Sequence, residues 1–241
     1  MDIKNPGRWV EKLTWPQIET KIEQGVIAVL PIGAAAKEHG RHLPLNTDHL
    51  QAQWLADEMA NSLDILIWPI VGYGYYPAFV DYPGSISINA EVFAELIGQV
   101  LEGILFAGIT RVVILNTGIS TIPPLNTLVS KYARRGEVSV YNIYSGVKFQ
   151  QAVDTLEEQG FGGHADEIET SIMLAIDESL VDMSLAGSQH TPIQRGLFNR
   201  LHSEQANFSP DGVNGEPHLA TTEKGVLLLE ALRLDCLAAL Q

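Results

Sequence analysis

Residues 33-GAAAKEHGRHLPLNTDH-49 crowd one lysine, one glutamate, three histidines and one aspartate into seventeen positions. His39, His42, Asp48 and His49 are all reasonable ligands for a divalent metal, because imidazole with carboxylate suits Zn, Mn or Fe. Pro44 stiffens the loop and limits the entropy lost in fixing such ligands. A second explanation covers the same pattern. Thr47 and Asp48 stand where a helix N-cap belongs, and an aspartate there is favoured by the helix dipole alone. His49 is then a first-turn helix residue. On this stretch alone both explanations stand.

A second segment, 162-GGHADEIETSIML-174, carries chemistry of the same kind. Glu169 opens an apolar helical stripe at Ile168, Ile172 and Ala175, so its carboxylate falls in the first turn of a helix. There it either answers the dipole, worth about 0.3–1 kcal/mol, or joins a site. His164 follows two glycines and is either a loop residue or part of that site.

The elements that must position these residues alternate between strand and helix patterns. Residues 14–25 read as a short helix with Pro16 in its first turn and Gly25 as its stop. The apolar run 26-VIAVLPI-32 has the character of a strand buried on both faces. An amphipathic helix over 50–62 follows, then a strand, 65-ILIWPIV-71, and a long Gly/Tyr/Pro loop, 72-GYGYYPAFVDYPGS-85. A helix spans about 89–107. Strand 111-RVVILN-116 comes next, and 117-TGISTIPP-124 turns into another helix that stops at Gly136. Strand 138-VSVYNIY-144, a helix near 166–176 and an apolar helical tail over 226–240 complete the pass. Helices between strands imply parallel pairing through right-handed crossovers. The predicted fold is one α/β domain over residues 1–241, a three-layer α/β/α sandwich with a mainly parallel sheet. Ligands in such sheets bind at the carboxyl ends of the strands, which puts loops 33–48, 72–85 and 116–121 on one rim.

The composition allows this fold and excludes some functions. Of 241 residues, 46% are hydrophobic and 18% charged, enough for a large core and too few charges for a disordered chain. The net charge of −14 argues against nucleic-acid binding through a basic surface. The single cysteine, Cys236, lies in the apolar tail and is expected to be a small core residue. Neither a signal-peptide core nor a membrane-length apolar run is found, so a cytoplasmic location without membrane contact is expected.

Taken together, the motifs resemble the creatininase family of metal-dependent amide hydrolases. The family pattern P-x-G-x-x-E-x-H-G-x-H-L-P-x-x-T-D is matched by 31-PIG-33 and 39-HGRHLPLNTD-48. The segments 82-YPGSISI-88, 164-HADEIETS-171 and 212-GVNGEPHLATTEKG-225 resemble three later family elements, in the same order. The resemblance implies a parallel sheet between helices, a homo-oligomer (a hexamer in many members) and one or two divalent metals, zinc or manganese among them. It implies that Asp48 bridges two metals, that His39 and Glu169 are metal ligands, and that His164 shuttles a proton to the leaving nitrogen. The expected function is hydrolysis of an amide, cyclic amide or formamide C–N bond of a small molecule; the alternative is a catalytically inactive binding or regulatory protein on the same scaffold. Bound metal lowers the pKa of water from 15.7 toward about 7 and polarises a carbonyl.

Two departures bear on this expectation. The family carboxylate two residues before the motif histidine is Lys37 here, and a protonated lysine cannot ligate. Glu38 is expected to take over as a ligand through an irregular backbone, since neighbours on an extended strand point to opposite faces. In 116-NTGIST-121 the family's ligand histidine is missing. Ser120 and Thr121 there read as a helix cap or as a binding site for an anionic substrate group. His42 is expected to contact substrate or to serve as a replacement ligand.

Overall fold

The computed structural model describes residues 3–132, 137–189, 191–193 and 197–240. Its centre is a sheet of four parallel strands in the order β2-β1-β3-β4, with β1 Ile27–Ile32, β2 Ile65–Ile67, β3 Arg111–Asn116 and β4 Glu137–Asn142. The register aligns Ile32 with Asn116 and Asn116 with Asn142, so three strands end at one rim.

Both faces of the sheet are covered, which explains the uninterrupted apolar runs. Ala28, Leu30 and Ile32 of β1 pack against α3 (Ala90–Phe106) and α4 (Ile122–Val129), through Phe93, Ile97, Leu101 and Leu125. Val29 faces the other layer. There it meets α2 (Thr47–Ser62), α5 (Val147–Leu156), α6 (Glu167–Asp177) and α7 (Thr222–Leu240), through Leu55, Phe149, Ile172 and Leu232. A shorter helix, α1 (Trp15–Glu23), contributes Ile18 and Ile22 to the first layer. The three-layer α/β/α sandwich expected from the sequence is the observed architecture. Cys236 is fully buried in the second layer, as expected of a small core residue. No described helix is long and apolar enough to cross a membrane.

The elements differ from expectation in three places. Strand β2 stops at Ile67 because the register then slips by one residue: Trp68 and Val71, three apart, donate to the carbonyls of Val29 and Pro31, two apart. Strand β4 ends at Asn142 and turns into a 3-10 helix over Ile143–Ser145. Helix α5 has no counterpart in the sequence reading. The expected stop at Gly136 lies outside the described residues.

Candidate metal centre

Three parts of the chain meet at the rim where β1 and β3 end. The 33–46 loop is irregular, and its path is set by backbone bonds. Gly33 and Ala35 donate to the carbonyls of Val71 and Gly72, and Lys37 donates to that of Leu45. Asp48 sits in the first turn of α2, which starts at Thr47 with Asn46 as its cap residue. The Thr117 hydroxyl donates to the carbonyls of Ile32 and Asp48, fastening the head of α2 to the sheet. The third part is the 162–166 turn that leads into α6. There the Asp166 carboxylate accepts from the Glu169 and Gly163 N–H groups and so caps the helix. Ala165, fully buried at φ 47, holds a left-handed backbone that is strained for a residue with a side chain. In that conformation its N–H donates to Glu169 Oε2 at 2.8 Å.

Donor atoms of His39, His164 and Glu169 all lie within 4.8 Å of one another. Two of these residues, His39 and Glu169, are expected ligands; the third, His164, is the expected proton shuttle. Glu38 and Asp48, also expected as ligands, each reach one member of the trio. Glu38 Oε2 lies 3.0 Å from His164 Nε2, and Asp48 Oδ1 lies 3.1 Å from His39 Nε2. The irregular backbone does turn Glu38 and His39 inward together, yet towards different partners. His42 is buried and bonds Thr170 Oγ1 at 2.8 Å, which ties the motif loop to α6. The Thr121 hydroxyl is fully buried and donates to Asn116 Oδ1 and the Gly118 carbonyl, while Ser120 is half-buried at the same turn. His42 thus links the motif loop to α6 through Nε2, leaving Nδ1 buried without a partner among the described residues, and Thr121 braces its own turn.

The imidazoles suit a cation. His39 Nδ1 lies 2.9 Å from the Lys37 carbonyl, which can only accept, so Nδ1 carries the proton. Nε2 then faces two carboxylate oxygens, Asp48 Oδ1 at 3.1 Å and Glu169 Oε1 at 3.7 Å, where it could turn a lone pair to a cation held between them. His164 follows the same logic. Its Nε2 proton points to Glu38, and Nδ1 faces Glu169 Oε2 at 3.9 Å. Imidazole nitrogens set against carboxylates call for positive charge between them, which a proton on the ring or a bound cation supplies. Metal-bound histidines commonly have their second nitrogen tied to a carboxylate or carbonyl in this way. Two imidazoles and one carboxylate also form the donor set of catalytic zinc sites with an open position.

Charge points the same way. Glu38, Asp48 and Glu169 are buried carboxylates, and Lys37 is a buried ammonium. Set against one another, the three carboxylates and the one ammonium leave two negative charges, which one divalent ion would balance. Lys37 Nζ sits 2.7 Å from Asp48 Oδ2, and 5.2 Å and 5.9 Å from the Phe79 and Tyr76 rings. Burial pushes the Asp48 carboxyl up, but the Lys37 ammonium and the His39 imidazole overcome this and hold it well below the carboxylate range. Glu169 is likewise lowered against its burial by His39, Lys37 and His164.

Several neighbours escaped the sequence reading. Tyr144 donates to Gln51 Oε1 at 2.5 Å and lies 3.5 Å from Glu169 Oε1. Burial, with the Glu169 and Asp48 charges, raises its phenol well above the ordinary value, so it keeps its proton. The strand-end rule, extended to β4, points to 143–146. The aromatic loop supplies a wall: the Phe79 ring lies 4.2 Å from that of His164, and Phe198 lies 5.4 Å away from it.

Known proteins match this chain over nearly its whole length. The family model described as creatinine amidohydrolase covers residues 11–240. The creatinine amidohydrolase of Pseudomonas putida is 25% identical over 240 residues, 92% of each chain. A 3-dehydro-scyllo-inosose hydrolase of Thermotoga maritima is 26% identical, over 97% of this chain and 82% of that protein. The solved structure described as "Creatininase Mn" superposes with a TM-score of 0.81 at 23% identity, covering 97% of both chains. A creatininase variant described as "Zn-Zn type" gives the same TM-score at 24% identity over 96% of each chain. Its relatives are hydrolases, and the chain belongs to the creatininase family.

Proposed function

We propose that this protein hydrolyses a C–N bond in a small amide, cyclic amide or formamide with the aid of a single divalent ion, zinc or manganese, held by His39, His164 and Glu169. The observation that carries the reading is the convergence of those three buried donors within 4.8 Å, with the far nitrogen of each imidazole already bonded. The ion would supply Lewis acidity for the carbonyl and lower the pKa of an attacking water. The protein side does the positioning. Glu38 and the Lys37 carbonyl fix the two rings, and the Ala165 N–H with Tyr144 fixes the Glu169 carboxylate. Phe79 and Phe198 shield His164 from water, which strengthens charge interactions within the site. Lys37 Nζ and Tyr144 OH are the flanking protonated groups. The relative described as zinc–zinc names two ions; the donors gathered here support one. Assembly as a homo-oligomer belongs to the same reading, and light scattering checks it.

The test is metal analysis joined to hydrolysis. Protein grown with added Zn and Mn should purify with a divalent metal, and chelation should abolish turnover of creatinine, formamides or cyclic amides. His39→Ala and Glu169→Gln should each lose most of the metal. Wild-type protein that takes up no divalent metal would sink the reading and favour a binding protein on this scaffold.

A further inference from the structure

We infer that Lys37 is the permanent second cation of this centre, its ammonium standing where another divalent ion would otherwise bridge to Asp48. The inference rests on the reading of a divalent ion at His39, His164 and Glu169, and adds that the site is built to hold no second ion. Asp48 divides its two oxygens. Oδ1 turns to His39 Nε2 at 3.1 Å, on the side of the donor trio, and Oδ2 turns to Lys37 Nζ at 2.7 Å. A carboxylate between two cations offers one oxygen to each in this way.

The lysine is held as part of the centre and is no surface residue that happens to reach inward. Its side chain is 9% exposed, its Nζ lies beside the Phe79 and Tyr76 rings, and its own carbonyl orients His39. An ammonium is a compact charge with three donors and no acceptor, so it repels a metal from Oδ2 and cannot ligate one. Among the described residues no second cluster of His, Cys, Asp or Glu donors gathers beside the first. In the turn after β3, Asn116 bonds Asn142, Gly118 and Thr121, so its amide is committed, and the segment 116–121 contains no imidazole or carboxylate. Charge also closes with one ion. Three carboxylates are matched by one ammonium and one divalent metal, whereas two divalent metals beside Lys37 would leave an excess of positive charge in a buried site.

Metal stoichiometry decides this without reference to activity. Metal-stripped wild type, Lys37→Glu and Lys37→Met would each be titrated with Zn, with bound metal counted by elemental analysis and melting followed at each equivalent. Wild type should saturate at one equivalent. Lys37→Glu, which replaces the ammonium with a carboxylate, should take up a second. Lys37→Met, which leaves Asp48 uncompensated, should melt lower when metal-free and recover more melting temperature with Zn than wild type does. Two equivalents in wild type would overturn the inference and leave the metal-hydrolase reading standing. So would one equivalent in both variants with no extra Zn-dependent recovery in Lys37→Met. No metal in wild type would defeat the underlying reading, and the inference with it. Should Lys37→Glu fail to fold, the wild-type count and the Lys37→Met melting response still decide.

Discussion

Glu38 and His39 are adjacent in sequence, both are buried, and they serve different partners in one centre. His39 offers Nε2 to the donor trio, whereas Glu38 accepts from His164 Nε2 and from the Gly40 N–H. The carboxylate therefore acts on the proposed metal site through the imidazole it orients. Glu38→Gln keeps the shape but removes the charge and the preference for an N–H donor at His164. Loss of such an orienting partner costs about 10–100-fold in metal affinity. Competition with a chromogenic chelator should show a loss of that size, and an unchanged dissociation constant would refute the role. Glu38 also explains a glycine of the C-terminal motif. Gly212 adopts φ +72, and a Cβ there would meet Glu38 Oε1 at 1.9 Å. The motif glycine is thus a space requirement of a carboxylate 174 positions away.

The same relation holds between elements. Helices α6 and α7 cross so closely that a Cβ on Gly225 would lie 1.9 Å from the Ser171 carbonyl oxygen. Helix propensity alone favours alanine over glycine by about 1 kcal/mol. Packing reverses that sign here, because the obstacle is backbone and cannot rotate away. Gly225→Ala should destabilise the fold by roughly 1–3 kcal/mol, the usual range for overpacking. Urea unfolding measures it, and a variant more stable than wild type would contradict the close crossing. Because α6 carries Glu169 and Thr170, the strain should also reach the metal centre. The 212–225 motif therefore works as a clamp. Its Asn214 exchanges backbone hydrogen bonds with His164, and its Lys224 pairs with the buried Glu167.

For the molecule as a whole, the buried polar centre makes stability depend on pH. Burial lowers the pKa of His42 from 6.5 to about 4, against the raising pull of Glu169 and Glu38. An unfolded chain takes a proton at His42 below about pH 6.5, while the folded chain resists until about pH 4. Its contribution is full above pH 6.5 and is lost as pH falls through that window, worth roughly 3 kcal/mol at 1.36 kcal/mol per unit. Metal-free wild type should therefore lose more melting temperature between pH 7 and 4 than His42→Asn does. Parallel melting curves for the two proteins would refute this.

The sequence by itself determined the layers, the parallel sheet and the segments that form the site. Strand runs buried on both faces, helical periodicity and cap residues are local signals, and they survive in the chain without its neighbours. The strand-end rule then brought residues 39–48 to a rim, the pattern of 162–174 added Glu169 and His164, and the motif likeness gave them roles. Only the tertiary structure decided which donors face one another. Glu38, expected as a ligand, bonds His164 in this fold; Tyr144 and the Lys37–Asp48 pair carried no local signal. Ligand geometry depends on distances between segments more than a hundred residues apart. Such distances follow from packing, from the αL turn at Ala165 and from the glycine contacts of the 212–225 clamp, and no periodicity along the chain encodes them.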